Sequence, residues 1–339
     1  MRTYVIKRLM FMVFTMIVIT MIAYTMMRVA PGDPTRAQFV GASESAGTLQ
    51  QDRKETDIEQ VLRTKYHLDK NPLVGYGYWL RDLVTRFDWG NSIVVDPGTP
   101  VMRVIADRLP VTLKLNIVAV TLVYACAIPI GIYSALRRKR LDDRIVTLLL
   151  FILYSLPAFW VGLLLLMFFT GDAKLSIFPV AGIRPDPYVV HGKGYWFVLW
   201  ETAKHYVLPV VCLTYSGLAG LSRYMRVGIL EVIRQDYIRT ARAKGLSERV
   251  VILKHVLRNS LIPMVTIFAG LLPGMIAGSI VVEYIYSIPG MGSLSIKALA
   301  SRDYPLMMAM FTIGSALSLL GILVSDLLYG VVDPRVSLE

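Results

Sequence analysis

Apolar residues gather in six long runs, at residues 9–27, 111–136, 145–170, 206–221, 261–282 and 306–330. A helix that crosses the hydrocarbon core needs about 20 such residues. The pattern therefore predicts an all-α, polytopic membrane protein with six transmembrane helices, of which the fourth has the shortest run. Arg2, Lys7 and Arg8 precede the first run as they would in a secretion signal. That run is longer than a signal core and no small-x-small cleavage site follows, so it reads as an uncleaved span.

Between the first two runs the chain turns polar. Pro31-Gly32-Asp33-Pro34 stops a helix and turns the chain. Residues 41–47 read as a loop, and 56–67 as a short amphipathic helix with Ile58, Val61, Leu62 and Tyr66 near helical spacing. Tyr76, Tyr78, Trp79, Phe87 and Trp89 suit an interfacial helix or a small cap on the membrane surface. As a separate domain, about 80 residues with so few aliphatics would have a thin core. The expected organisation is a first span (1–30), an extracytoplasmic segment (31–110) and a core of the remaining five spans (111–339) carrying a cytoplasmic loop at 228–260. Pro129, Pro157, Pro209, Pro263 and Pro273 lie in or beside the apolar runs. Each removes a backbone donor and favours a kink, which suits a bundle that opens and closes, although prolines are common in membrane helices generally.

Composition agrees with this picture: of 339 residues, 55% are hydrophobic and only 18% charged. The net charge of +12 would suggest nucleic acid if it were spread evenly. It is not. Basic residues crowd at alternate connections: before span one, between spans two and three (Arg137, Arg138, Lys139, Arg140, Arg144), and between spans four and five. Residues 31–110, by contrast, hold ten basic and eleven acidic side chains. The positive-inside rule then places both termini and the fourth connection in the cytoplasm of a plasma-membrane protein, and argues against nucleic acid as a partner.

Candidate chemistry is sparse. Cys126 and Cys212 sit in apolar runs and build neither a disulfide framework nor a metal site. His67, His191, His205 and His255 are scattered, with no H-E-x-x-H and no G-x-x-x-x-G-K-[ST] phosphate cradle, so energy must come from a partner. Ser216-Gly217 is the nearest thing to an intramembrane nucleophile, and a Ser-Gly pair among apolar residues is ordinarily packing. An ion-driven carrier would hold ionisable groups deep in the membrane. Here Arg28, Lys114 and Asp326 fall near span ends, within reach of water.

The fourth connection is the most informative stretch. No proline interrupts 228–244, so a helix is favoured, and Gly245 can take the left-handed conformation that closes it. Ser247 is a good N-cap for a second helix, with Glu248 in its first turn. The expected unit is helix, Gly-Leu turn, helix, with Tyr237, Ile238, Ala241 and Leu246 forming an apolar side among Asp236, Arg239, Arg242 and Lys244. Such a ridge suits a groove in another protein. A basic face held by lipid head groups is the alternative.

The stretch DYIRTARAKGLSERVVILKHVLRNSLIP (236–263) resembles the cytoplasmic loop of permease subunits of ABC importers, in the oligopeptide/dipeptide/nickel permease family. The wider superfamily writes this loop as E-A-A, three residues, G; here the places fall on Arg239, Thr240, Ala241 and Gly245, and Arg239 departs from the glutamate. PGDP (31–34), DWGNS (88–92), RLPVTLKL (108–115), SLPAFWVGLLLL (155–166), FPVAG (178–182), HYVLP (205–209), EYIYSIPGMG (283–292), RDYP (302–305) and DLLYGVVDPR (326–335) follow the same family's pattern in order.

The resemblance implies a type I permease fold and a non-enzymatic subunit forming half of a pathway for peptides. Nickel, glutathione or oligosaccharides are alternative cargoes. It further implies a second homologous permease, two cytoplasmic ATPases that bind ATP and Mg, and an extracytoplasmic solute-binding protein. Residues 236–246, including Ala243, become the coupling helix. Ser155, Thr214 and Tyr215 become candidates for the pathway, and Asp88, Trp89, Glu283 and Pro289 for contact with the binding protein. No cofactor, catalytic residue or metal ligand is expected in the chain itself.

Overall fold

The computed structural model describes residues 2–29, 60–61, 63–67, 69–171 and 175–332. The PGDP turn, the loop at 41–47 and most of the amphipathic helix expected at 56–67 lie outside them. The described chain is helical, and its sole sheet-like pairing is an isolated bridge between Asn91 and Pro100. In chain order the helices are α1 (Arg2–Val29), α2 (Pro72–Arg86), α3 (Val101–Leu136), α4 (Leu141–Ser155), α5 (Ala158–Phe169), α6 (Pro187–Val190) and α7 (Tyr195–Val232). Then follow α8 (Asp236–Ala243), α9 (Glu248–Val250), a π-helical turn (Val251–Val256), α10 (Leu257–Ser260), α11 (Ile262–Ala277), α12 (Ile280–Ile285), α13 (Met291–Ser301) and α14 (Tyr304–Val332).

Four helices among the described residues are long and apolar enough to cross a membrane: α1, α3, α7 and α14. α4 and α5 pass together, as a pair bent by 98°. The bend sits where the third apolar run meets Leu156-Pro157. Proline disfavours helical backbone in the residue before it, and Leu156 is extended, with ψ of 129°. The fifth run is likewise not one helix: α11 has 16 residues and ends at Gly278, whose φ is +77°. The fourth run, the shortest of the six, lies inside the 38-residue α7, which passes through Pro209 without stopping.

Two compact units are distinguished, residues 1–110 with 293–320, and residues 111–292 with 321–337. In the first, α2 packs on α1. The Tyr76 hydroxyl donates to the Ile17 carbonyl (3.0 Å) and lies 2.9 Å from Thr20 Oγ1. Trp79 stacks on Tyr76, so these aromatics form a cap packed on a helix. Tyr304 Oη donates to the Met27 carbonyl at 2.8 Å.

In the second unit one apolar cluster joins Val123 and Ala127 of α3, Leu221, Met225 and Ile229 of α7, Ile238 and Ala241 of α8, Val251 and Val256 of the π turn, and Met264 of α11. α3 and α7 approach closely at Gly131, where a Cβ would stand 2.6 Å from Met225 Cβ. A second cluster gathers Leu115, Leu208, Cys212, Tyr215, Val282, Tyr286 and Ile288.

Candidate coupling loop and buried carboxylates

α7 ends at Val232, and Gln235 is extended (φ −68°, ψ 148°) before α8 begins at Asp236. The uninterrupted helix expected over 228–244 is therefore broken, which lets α8 leave in a new direction. α8 is amphipathic: Ile238 and Ala241, three residues apart on one face, are buried in the apolar cluster of the second unit. Asp236, Arg239, Thr240, Arg242, Ala243 and Lys244 are exposed. The expected apolar side is thus divided. Ile238 and Ala241 fasten the helix to the bundle, while Tyr237 and Leu246 remain exposed, together with Val250 and Leu253.

Gly245 closes the helix at φ +78°, its N–H donating to the Arg242 carbonyl at 2.9 Å. A Cβ built there meets nothing within 4 Å, so only the left-handed backbone requires glycine. Ser247 stands at the start of the next helix as expected, but its side chain makes no cap hydrogen bond. Arg242 instead spans the turn, donating Nη2 and Nε to the two carboxylate oxygens of Glu248 at 2.6 and 3.1 Å. That pairing holds the Glu248 carboxyl below its ordinary range and pushes the Arg242 guanidinium above its own. Asn259 Nδ2 donates to Tyr237 Oη at 2.8 Å, tying α8 to α10. Between them the chain takes π-helical geometry over Val251–Val256, an irregularity frequent at functional sites.

The other sequence candidates separate by burial. Ser155 and Thr214 each bond back to a carbonyl four residues earlier, Phe151 and Val210, at 2.7 Å. Tyr215 is buried, and its hydroxyl donates to the Leu156 carbonyl at the α4–α5 break (2.9 Å). That bond props the bend. Asp88 is exposed and accepts from the Gly90 N–H at 2.8 Å. Trp89 lines a cavity of about 380 Å³ in the first unit, and Pro289 is half-buried.

Glu283, a candidate for contact with the binding protein, lies inside this chain. It is 2% exposed, and Oε1 accepts from Thr112 Oγ1 at 2.9 Å. Thr112 Oγ1 in turn accepts the Met291 N–H at 2.7 Å, so the pair shapes the turn of EYIYSIPGMG from within. Gly290 leaves room for it, because a Cβ there would stand 2.5 Å from both Glu283 Oε2 and Thr112 Oγ1.

Two further carboxylates went unassigned in the sequence. Asp303, fully buried, accepts through Oδ2 from Ser92 Oγ and from the backbone N–H groups of Ile93, Val94 and Val95. Asp143, also buried, pairs with Arg226 Nη2 at 2.7 Å and accepts from Ser134 Oγ and the Lys139 N–H. The RDYP and DWGNS motifs drew attention to the first partners without joining them. The basic connection at 137–144 was legible only as a topology signal.

Comparison with known proteins adds the following. A family model described as binding-protein-dependent transport system inner membrane component matches residues 127–338, and the N-terminal model of the same transport components matches residues 1–116. The oligopeptide transport system permease protein AppB of Bacillus subtilis (strain 168) is 39% identical over 338 residues, covering 99% of both chains. The dipeptide transport system permease protein DppB of the same organism is 33% identical, over 100% of this chain and 99% of the relative. DppB of Lactococcus lactis subsp. cremoris (strain MG1363) is 32% identical over 99% of each.

Proposed function

Because the chain belongs to the family of binding-protein-dependent transport system inner membrane components, we propose that it is the permease subunit of an ATP-driven importer of di- or oligopeptides. The observation that carries the cargo is the 39% identity to an oligopeptide permease along 99% of the chain. In this reading six spans cross the plasma membrane with both termini inside. The bent α4–α5 pair is the third span and α11 with α12 the fifth. One chain encloses half a pathway, a second homologous permease supplies the rest, and an extracytoplasmic binding protein delivers the peptide.

Two cytoplasmic ATPases bind ATP and Mg and drive the cycle, since this sequence holds no phosphate cradle. Their force enters at residues 236–246. Tyr237 and Leu246 face outward to be gripped. Ile238 and Ala241 are packed with α3, α7 and α11, so displacement of α8 displaces membrane helices and is not absorbed by a loose loop.

The test is uptake by the assembled complex in proteoliposomes, with the binding protein and a labelled peptide mixture outside. ATP-dependent accumulation, insensitive to a protonophore, is expected. Accumulation without ATP that a protonophore abolishes would refute an ATP-driven importer. Competition by nickel, glutathione or oligosaccharide in place of peptide would change the cargo and keep the mechanism.

A further inference from the structure

A cleft of about 510 Å³ lies among α3, α4 and α7. One part of its wall is apolar or aromatic, with Ile130, Leu150, Phe151 and Tyr154. The other carries Arg223 and Arg226, and no acidic residue lines it. The nearest carboxylate, Asp143, is already used by Ser134, Lys139 and Arg226. Arg223 is exposed and has no ion-pair or hydrogen-bond partner among the described residues. Arg226 is held by Asp143 at 2.7 Å, and its Nε–H is buried without an acceptor. The cleft therefore offers one unneutralised, accessible guanidinium, Arg223, at the edge of an apolar wall.

We propose that this cleft binds the phosphate of an anionic phospholipid, with an acyl chain lying along α4. Charge selects an oxyanion, and guanidinium groups favour phosphate. The wall decides between a lipid and the carboxylate of a peptide. From the cleft the surface continues along α4 as exposed Leu148, Leu149, Phe151 and Ile152, which suits hydrocarbon and leaves the amides of a peptide unbonded. The connection between α3 and α4 and the first turn of α4 add exposed Arg137, Arg138, Arg140 and Arg144, of which Arg137 and Arg140 share Asp142, a net-basic run that draws anionic lipid to the cytoplasmic leaflet. The inference needs only a membrane-embedded chain and does not depend on the cargo.

The experiment is native mass spectrometry of the full chain released from nanodiscs of mixed phosphatidylglycerol and phosphatidylcholine, repeated on the assembled importer. Phosphatidylglycerol should be retained in preference to phosphatidylcholine. Arg223→Gln, at an exposed position, should lower that retention about fivefold, and Arg223→Lys should keep most of it. Millimolar inorganic phosphate should leave the lipid bound. Equal retention by wild type and Arg223→Gln would overturn the proposal. So would displacement by a dipeptide, which would make the cleft a cargo site, or loss of the lipid on assembly, which would make it a subunit contact.

Discussion

Asp303 and Asp236 each stand at the start of a helix, and the fold uses them in opposite ways. Asp303 has no exposure and collects a hydroxyl and three backbone N–H groups from residues 92–95, so its charge is spent inside the chain. The Asp236 side chain is 94% exposed, and its ion pair is a 3.3 Å contact with Arg239, itself 75% exposed. Around Asp303 polar bonds fix the shape. Around Asp236 the shape rests on Ile238 and Ala241 underneath and on the left-handed Gly245, which leaves the charges available to another molecule. A motif residue can thus serve the chain's own interior or its outer surface, and the letter alone does not tell which.

Removing the buried anchor should have the largest effect. Asp303→Ala strands the four donors on Oδ2 and the longer Leu306 N–H contact (3.4 Å) on Oδ1, at a cost of roughly 4 kcal/mol, and should lower the thermal unfolding midpoint in detergent and expose residues 88–95 to protease. An unchanged midpoint would erase the contrast with Asp236. Next, Asp143→Ala leaves Arg226 without its carboxylate. Because that arginine is a quarter exposed, a loss of about 3 kcal/mol is expected, at the lower end for broken buried pairs.

The turn should respond differently. Gly245→Val introduces strain of about 1–2 kcal/mol from φ alone, since its Cβ has open space. The unfolding midpoint should move little while peptide uptake per ATP hydrolysed falls, and unimpaired coupling would remove the role given to this geometry. Smallest is Glu248→Gln, which breaks an exposed pair with Arg242 and should cost at most about 0.5 kcal/mol, less in high salt. Its pH dependence has a definite sign. The folded Glu248 carboxyl lies below its ordinary value near 4.5, so the contribution is present above that value and is lost as pH falls through the folded one. Acid titration of wild type against Glu248→Gln should show the difference closing as pH falls below the ordinary carboxylate range.

The helical class and the left-handed Gly245 were legible because each follows from local chemistry, apolar run length and backbone freedom; the helix start at Ser247 was legible too, although the cap bond expected of its side chain does not form. The break at Gln235 was not, for nothing in 228–244 forbids a helix; tertiary burial of Ile238 and Ala241 redirects the chain. The burial of Glu283 was not legible for a related reason. Its partner Thr112 lies 171 residues away, and no spacing rule joins them. Asp303 with Ser92 and Asp143 with Arg226 are likewise long-range pairs, each half of which reads alone as a solvent-facing side chain.

The central claim is that motion enters the membrane bundle at residues 236–246. The direct test places a photo-crosslinking amino acid at Leu246, exposed beside the Gly245 turn, in the assembled importer. The account predicts an adduct with an ATPase subunit whose yield changes through the nucleotide cycle. An adduct with lipid alone, in an importer that still transports peptide, would contradict it.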